Sequence, residues 1–589
     1  MCGIAGLISS SEPVSKSLFT HMVNTLQHRG PDDSGVFLSE DDFIALGHRR
    51  LSFLDLSSAG KQPLKSSNQN SWITFNGEIY NYLELKEELN TQYIFQTETD
   101  TEVVLAAYQT WGISFIHKLK GMFAFAIYDE HKKKLLLARD RFGIKPLYYA
   151  HAGKQFVFAS ELKAIVASGI VDKQVDFSSF TDYFVYRYIP SPKTIWKDVY
   201  KLPPATFMEI DTQTLAQETV EYWNLNSSNS SQPDDDLIRE IDYLLKQSVK
   251  EHTRADVPIG SFLSGGYDSS ALVNYMKTIH QDPETFSIGF SKWEKSEDQF
   301  AAIVAKHIGV NNTAVVADED SLLLIDKMAE VYDEPIADIS IVPTFMVSKL
   351  ARTKVKAVLS GEGADEIFGG YTWQHEFMKK TNANWLTQLL GKKSDTVGFY
   401  AQAMAMGWFD SEELKRMLHP RLHQFIHDDV HWFYRKHYKS NLSPLKSIQY
   451  LDMKCFMGEL VLTKIDRASM ANSLEVRVPF LDHTLVEKVF SLNESSYFRP
   501  NQTKYLLFEN IKNSLPHSIL ERKKQGFVGP DSYYMNLDFY RRELANSTLV
   551  KAQLVNQGYI DDLLKESYNW KLWKILVMEK WFKRWVDLA

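Results

Sequence analysis

Cys2 is the first candidate catalytic residue, because its thiol shares a residue with a free α-amine once Met1 is removed. An α-amine has a pKa of about 8, which suits proton exchange with a thiol near neutral pH. An N-terminal cysteine can therefore act as a nucleophile that carries its own base. Position alone is weak evidence, so the motifs that follow carry the interpretation.

Three polar motifs in the first 80 residues supply what a nucleophile that cleaves glutamine requires. These are HRGPD at 28–32, RRLS at 49–52 and NGE at 76–78. A guanidinium can hold an α-carboxylate in a bidentate pair, and acidic groups can hold an α-ammonium. An Asn amide and a glycine N–H can stabilise an oxyanion. Together the motifs predict hydrolysis of the glutamine amide.

A second chemistry is indicated by LSGGYDSS at 263–270, which follows a predicted strand and opens a predicted helix. Glycine N–H groups, serine hydroxyls and a helix N-terminus bind phosphate. Asp268 would repel phosphate unless a cation lay between them, so the motif predicts Mg²⁺ on a pyrophosphate. No GK[ST] follows, which excludes a Walker loop. The segment resembles the pyrophosphate loop of the ATP pyrophosphatases, which implies adenylation.

A second glycine-containing turn, SGEGADE at 360–366, follows the apolar run VKAVL. In a parallel sheet this turn can reach the same crevice as the first loop. It would place Asp365 near the metal and Glu362 near the group being activated. Repulsion among its three carboxylates would make the turn costly without a cation.

The elements that must position these motifs divide the chain in two. Paired β-runs in the first 200 residues, such as 123–129 with 134–140, indicate hairpins in two stacked antiparallel layers with helices outside. The Asn/Ser/Asp-rich stretch at 223–236 indicates a linker, and Asp234, Asp235 and Asp236 are expected to cap the next helix. A repeated βα pattern then predicts a parallel sheet with a helical cap. We therefore expect an N-terminal α+β domain at 1–222 and an α/β domain at 237–589.

Composition excludes several function classes. The chain has 589 residues, 66 Lys and Arg against 74 Asp and Glu, a net charge of −8 and two cysteines. Two thiols build no disulfide framework, which favours the cytoplasm. The sequence has no cluster of basic residues of the kind that predicts nucleic-acid binding. It also has no apolar run of about 18 residues, the length that predicts a membrane span.

The motifs MCGIAG, HRGPD, RRLS, FNGEIYN and TETDTE together resemble class II glutamine amidotransferase domains. SGGYDSS, SGEGADE, KIDRASMANSLEVRVPFLD and ERKKQGF resemble the synthetase half of glutamine-hydrolysing asparagine synthetases. The likeness extends in order over nearly the whole chain. It implies an N-terminal-nucleophile β-sandwich followed by an ATP-pyrophosphatase domain.

The resemblance also implies individual roles. In the amidotransferase half, Cys2 is the nucleophile, Asn76 and Gly77 form the oxyanion hole, and the glutamine-binding residues are Arg50, Leu51, Phe53, Asn76, Gly77, Glu78 and Asp100. In the synthetase half, the ATP-binding residues are Leu263, Ser264, Gly265, Gly266, Asp268, Ser269, Ser270, Ile288, Ser360 and Gly361. Asp268 and Asp365 bind Mg²⁺, Glu362 is the candidate base, and Lys524 stabilises charge during adenylation, with Lys523 as the alternative.

The implied reaction is ATP-dependent amidation of aspartate through a β-aspartyl-adenylate, with ammonia from glutamine passing between the domains. Two residues depart from the family pattern, of which Tyr267 bears on the acceptor, whereas Phe53 is expected to contribute backbone contacts only. Tyr267 stands where asparagine synthetases usually have Leu or Val, and Phe53 where Ile is usual. The same chemistry on another carboxylate, such as a nucleotide-linked sugar uronate, therefore stays open, as does a homodimer. A non-catalytic role is disfavoured, because Cys2, Asn76 and Asp268 stand together with the other site residues.

Overall fold

The computed structural model describes the whole chain except residues 1, 68–69, 280–281, 292, 384–394, 523–528, 567–568 and 587–589. Twelve of the described strands form two six-stranded antiparallel sheets in the N-terminal third. The first has the order β10-β8-β9-β1-β3-β2 and the second β12-β11-β7-β6-β5-β4. Their bounds are β1 Gly3–Ser9, β2 Asp33–Leu38, β3 Ile44–Arg50, β4 Leu64–Lys65, β5 Ser71–Ile79, β6 Gly121–Asp129, β7 Lys134–Arg139, β8 Tyr148–Ala152, β9 Gln155–Ala159, β10 Val199–Lys201, β11 Thr206–Asp211 and β12 Gln217–Glu221.

The two sheets stack because alternate side chains of each face the other. Ile4 and Ile8 of β1 lie in one buried cluster with Ala124 and Tyr128 of β6. The outer faces are apolar too, and helices cover them. Five helices flank the sheets: Lys16–Asn24, Tyr82–Leu89, Asp100–Trp111, Leu162–Ala167 and Phe177–Tyr186. The predicted sandwich with outer helices is confirmed, and so is the predicted hairpin of 123–129 with 134–140, which is β6 paired with β7. Strands β8 and β9 form another hairpin.

The second unit is built on a five-stranded parallel sheet with the order β15-β14-β13-β16-β17. Its strands are β13 Ile259–Phe262, β14 Thr285–Phe290, β15 Asn312–Ala317, β16 Ala357–Leu359 and β17 Glu475–Arg477. The chain order of the strands reverses between β13 and β16, which makes this a topological switch point. In such sheets the ligand crevice lies there, outside the carboxyl ends of the strands. The loops at 263–270 and 360–366 follow these two neighbouring strands, so the expected parallel sheet is confirmed.

Helices surround this sheet and form the predicted cap. Those before the cap are Asp234–His252, Tyr267–Thr278, Glu297–Ile308, Ile325–Tyr332, Ile341–Arg352 and Ala364–Phe368. The cap contains Thr372–Ala383, Thr396–Met404, Ser411–Met417, Trp432–His437, Pro444–Leu451, the π-helical turn Asp452–Val461, Leu462–Met470, His483–Ser491, Glu494–Tyr497, Tyr505–Ile511, His517–Leu520, Asp531–Tyr534, Leu537–Leu544, Thr548–Lys551, Gln557–Leu563 and Trp570–Trp585. None of the described helices is both long and apolar enough to cross a membrane.

One local expectation is wrong. The helix Asp234–His252 has Pro233 at its N-cap, and Asp234, Asp235 and Asp236 occupy its first turn. No side chain caps this helix by a hydrogen bond. The aspartates act instead through the helix dipole, which favours negative charge in the first turn. The helix thus begins inside the stretch expected to be a linker.

Strand β17 was not predicted, and it joins the two units. It is three residues long and pairs with β16 after more than 100 intervening residues. Its last residue, Arg477, accepts a hydrogen bond on its carbonyl from the Ser360 backbone N–H at 2.9 Å. The guanidinium of Arg477 lies 3.2 Å from Glu78 in the N-terminal unit. One strand therefore contacts both predicted sites.

Candidate active sites

Cys2 lies buried at the start of β1, between two polar contacts. Its backbone nitrogen donates to Oδ1 of Asn76 at 2.9 Å, and its carbonyl accepts from Nε of Arg29 at 3.0 Å. Burial raises the pKa of the Cys2 thiol, while the Leu51 backbone N–H and the Arg50 guanidinium favour the thiolate. The structure thus brings Cys2 together with Asn76, Arg50 and Leu51, as expected.

Strand β5 holds the predicted oxyanion hole in place. Oδ1 of Asn76 is used by Cys2, whereas Nδ2 is buried and has no hydrogen-bond partner among the described residues. A buried donor without a partner is costly. A Cβ atom at Gly77 would lie 2.1 Å from the Met122 carbonyl oxygen, so only glycine fits there. The free amide N–H of Asn76 beside the thiol is the arrangement that a developing oxyanion requires.

Arg50 is fixed before any substrate arrives. Its Nη1 donates to the Ser57 carbonyl at 2.9 Å, and its Nη2 donates to the Leu54 and Asp55 carbonyls at 3.1 Å and 2.6 Å. Leu51 and Phe53, which follow Arg50, are buried. The Phe53 carbonyl accepts from the Asp256 backbone N–H at 2.9 Å, so this loop also touches the second unit.

The acidic residues expected at the glutamine amine end form a buried cluster with an arginine from the other unit. Oδ2 of Asp100 accepts from the Ile79 backbone N–H at 2.9 Å. Burial raises the pKa of Asp100 to about 6 and the pKa of Glu78 well above its usual value, although Arg477 opposes both shifts. Arg477 also donates from Nε to Glu475 at 2.5 Å. Sequence reasoning placed Glu78 and Asp100 here but missed Glu475 and Arg477.

A second site is a cavity of about 400 Å³ at the switch point of the parallel sheet. Both glycine-containing loops line it. The expected residues that it brings together are Leu263, Ser264, Gly265, Gly266, Asp268, Ser269, Ile288, Ser360, Gly361, Glu362 and Asp365. Ser270 lies outside this lining, and its side chain is fully buried.

The first loop has the local geometry of a phosphate cradle. Gly265 has φ of 71°, and a Cβ atom there would lie 2.6 Å from the Phe300 backbone. Gly266 is the N-cap of the helix Tyr267–Thr278 and donates to Oγ of Ser264 at 3.3 Å. A glycine turn that opens a helix directs backbone N–H groups toward an anion.

Lys504 lies between the two carboxylates expected to bind the metal. Its Nζ is 2.5 Å from Oδ1 of Asp268 and 2.8 Å from Oδ1 of Asp365. Its side chain is 4% exposed. Asp268 and Asp365 therefore converge on one point, which the Lys504 ammonium occupies in this structure. Two converging carboxylates also fit a divalent ion that is held by them together with substrate phosphates. No group of three or more His, Cys, Asp or Glu in the described chain could hold a metal without such help. The sequence analysis missed Lys504.

Lys524 and its alternative Lys523 lie outside the described residues. Arg522, just before them, lines the cavity and donates from Nη1 to the Ser264 carbonyl at 3.2 Å. Its guanidinium stacks 4.0 Å from the centre of the Phe300 ring. The chain that leads to the two lysines is thus fixed against the phosphate loop.

Tyr267, which raised the question of the acceptor, has a structural partner. Its hydroxyl donates to the Leu520 carbonyl at 2.5 Å, and its ring lies 5.8 Å from that of Phe508. The tyrosine therefore joins the phosphate loop to the helical cap. Its hydroxyl is engaged by protein, so Tyr267 does not by itself indicate an unusual acceptor.

A buried thiol beside an unpaired Asn76 amide N–H, and a glycine turn that opens a helix at the switch point of a parallel sheet, fit a glutamine amidotransferase joined to an ATP-using domain. Comparisons with known proteins agree with this class. The glutamine amidotransferase domain family matches residues 1–223, and the asparagine synthase family matches residues 240–583. The protein is an enzyme of the glutamine-hydrolysing asparagine synthetase family, and the resemblance inferred from the motifs is confirmed.

Three relatives illustrate the similarity. The glutamine-hydrolysing asparagine synthetase 1 of Bacillus subtilis strain 168 is 33% identical, over 99% of this chain and 96% of its own length. A putative glutamine-hydrolysing asparagine synthetase of Mycobacterium bovis is 32% identical, over 100% of this chain and 98% of its own length. A second putative enzyme of this name, from Methanocaldococcus jannaschii, is 39% identical over 63% of this chain and 76% of its own length.

Proposed function

We propose that the protein amidates aspartate to asparagine, using ATP and ammonia released from glutamine. The observation that carries this proposal is the pairing of two distinct sites in one chain. One holds Cys2 beside a free Asn76 amide N–H, and the other brings Asp268 and Asp365 together at a phosphate cradle. Family membership supports both halves.

We further propose that the chain divides into 1–222, a linker at 223–236 and 237–589, although the last three residues of that linker form the first turn of the helix Asp234–His252. The ranges matched by the two families support this division. A cytoplasmic setting fits the two free, buried cysteines. The homodimer left open by the sequence stays a prediction.

In the first site the Cys2 thiolate attacks the side-chain amide carbon of glutamine. Asn76 Nδ2 and the Gly77 N–H donate to the oxyanion, and the amine exposed by loss of Met1 takes the thiol proton and delivers it to the leaving ammonia. Water then hydrolyses the thioester to glutamate. Arg50 binds the glutamine α-carboxylate, with Leu51 and Phe53 supplying backbone contacts. Glu78 and Asp100 bind the ammonium.

In the second site the loop at 264–270 and the turn at Ser360 and Gly361 hold the ATP phosphates, and Leu263 and Ile288 flank the adenine. Asp268 and Asp365 would hold Mg²⁺, which supplies charge neutralisation on the pyrophosphate when bound. The β-carboxylate of aspartate attacks the α-phosphorus, and pyrophosphate leaves. Lys504, which lies beside both carboxylates, would neutralise phosphate charge. Lys524, or Lys523 beside it, keeps the charge-stabilising role that the resemblance implies.

Ammonia then attacks the acyl carbon, AMP leaves, and Glu362 accepts the excess proton. Oε2 of Glu362 is buried and makes no hydrogen bond within the described chain, so it is free for this role. Ammonia is mostly protonated in neutral water. A dry passage between the units keeps it nucleophilic and protects the adenylate from hydrolysis.

Purified protein given ATP, Mg²⁺ and glutamine tests this function by pyrophosphate release with and without aspartate. We expect release to depend on aspartate and to match asparagine formation. Release that ignores aspartate but responds to a sugar uronate would refute the proposal in favour of the other carboxylate.

A further inference from the structure

The cavity that contains both phosphate loops also contains a charged cluster that neither loop supplies. Its members are Asp338, Ser340, Lys464 and Arg187. Asp338 and Ser340 follow the helix Ile325–Tyr332, and Lys464 lies on the helix Leu462–Met470. Arg187 comes from the N-terminal unit, where it ends the helix Phe177–Tyr186. Three separate segments thus converge at one end of the ATP site.

The cluster is ordered by a serine bridge. Lys464 Nζ donates to Ser340 Oγ at 2.7 Å and lies 3.7 Å from Asp338 Oδ1. The Ser340 backbone N–H donates to the same Oδ1 at 2.8 Å, and the Ser340 hydroxyl donates to it too. All these contacts involve Oδ1, and within the described chain no hydrogen bond reaches Oδ2. Asp338 keeps one free carboxylate oxygen.

Arg187 has a fixed backbone and a buried donor that is unsatisfied. Its carbonyl accepts from the Ala337 backbone N–H at 2.8 Å, which ties it to the residue next to Asp338. Its Nε is buried and finds no hydrogen-bond acceptor among the described residues. Asp338, Lys464 and Arg187 line the same cavity, and although burial opposes it, the two cations hold the pKa of Asp338 below its usual value.

We propose that this cluster binds the α-amino-acid end of the acceptor, with Asp338 on the α-ammonium and with Lys464 and Arg187 on the α-carboxylate. The inference rests on the proposed function and assigns its acceptor site. The β-carboxylate is then left to face the phosphates.

The charges of the cluster match a zwitterion better than a sugar. One anion with a free oxygen and two cations, one with an unsatisfied N–H, are complemented by one ammonium and one carboxylate. Buried donors and charges are stable only when paired. A neutral sugar ring at this end could accept a hydrogen bond from Arg187, but it would offer no opposite charge to Asp338, Lys464 or Arg187. Because Arg187 belongs to the amidotransferase unit, an acceptor bound here contacts both units.

Acceptor analogues test the assignment with ammonia as nitrogen donor. Succinate lacks the α-ammonium of aspartate, and β-alanine lacks its α-carboxylate. The readout is kcat/KM for pyrophosphate release with each acceptor. Loss of one charged hydrogen bond should reduce the ratio of kcat/KM for aspartate to kcat/KM for the analogue on the order of 10- to 100-fold. Asp338→Asn should reduce only the aspartate-to-succinate ratio, whereas Lys464→Met and Arg187→Met should reduce only the aspartate-to-β-alanine ratio.

Asp320→Asn, at an exposed aspartate, is the matched control and should change neither ratio. Unchanged KM values for ATP and for glutamine confirm that each variant is folded. If Asp338→Asn is insoluble, the two cation variants still decide the matter. Ratios equal to wild type in soluble variants, or equal losses for both analogues, would overturn the assignment. No aspartate dependence in the wild-type enzyme would instead refute the proposed function.

Discussion

Replacing Lys504 by methionine should convert a lysine-bridged pair of carboxylates into a site that binds a divalent cation without nucleotide. In the wild type the ammonium lies within 3 Å of both Asp268 and Asp365. Their side chains are 22% and 16% exposed, and that of Lys504 is 4% exposed. Removing one partner of a fully buried ion pair costs about 3–5 kcal/mol. Partial exposure of the carboxylates reduces this cost, so we expect Lys504→Met to lose about 2 kcal/mol of unfolding free energy.

Mg²⁺ should restore much of that loss in the variant, because a ligand that binds only the folded state stabilises it by about 2.7 kcal/mol at 100 times its Kd. The wild type should gain less, because Mg²⁺ must displace the ammonium. Urea unfolding with and without Mg²⁺ measures both quantities. Lys512→Met, which removes the partly exposed Lys512–Glu509 pair, is the matched control. The reasoning is refuted if Lys504→Met is as stable as the control and gains nothing from Mg²⁺. Aspartate-dependent pyrophosphate release should fall in Lys504→Met and stay at the wild-type rate in Lys512→Met.

Three further predictions concern the glutamine site. Cys2→Ala should abolish asparagine synthesis from glutamine but leave synthesis from ammonia, and equal loss of both would contradict separate sites. Arg477→Met should raise the KM for glutamine, because Glu78 loses its charged partner at 3.2 Å; an unchanged KM would exclude a positioning role. Asp100 has a folded pKa of about 6 against a usual value of 3.8, so its contribution to stability falls as pH rises through that interval. Asp100→Asn should flatten the stability profile there, and an unchanged slope would contradict the shift.

The sequence predicted the parts of the site that are local. The pattern of a strand, a glycine turn and a helix start spans about ten residues, so the sequence could predict where both glycine-containing loops lie and that they share one crevice. Their binding of phosphate stays a prediction. The motifs already suggested Asn76 as an oxyanion donor for Cys2, the resemblance implied the same role, and the unpaired Asn76 Nδ2 gives that pairing a physical reason.

What the sequence did not predict depends on distant partners. Strand β17 is three residues long and pairs with β16 across the helical cap, a separation at which periodicity carries no signal. Lys504 and Arg187 are single charged residues without a surrounding pattern, and their roles come from convergence in space. The N-cap expectation was wrong for a local reason, since Pro233 occupies the N-cap and the three aspartates lie in the first turn of the helix.

The central claim is that one chain releases ammonia at Cys2 and consumes it at the ATP site. Glutamine labelled with ¹⁵N in its amide, incubated with the enzyme, ATP, Mg²⁺ and aspartate, tests it most directly by NMR and nucleotide analysis. We predict that the label appears in the asparagine side-chain amide, with one AMP and one pyrophosphate for each asparagine formed. Label that accumulates only as free ammonium while aspartate and ATP remain unconsumed would contradict the account.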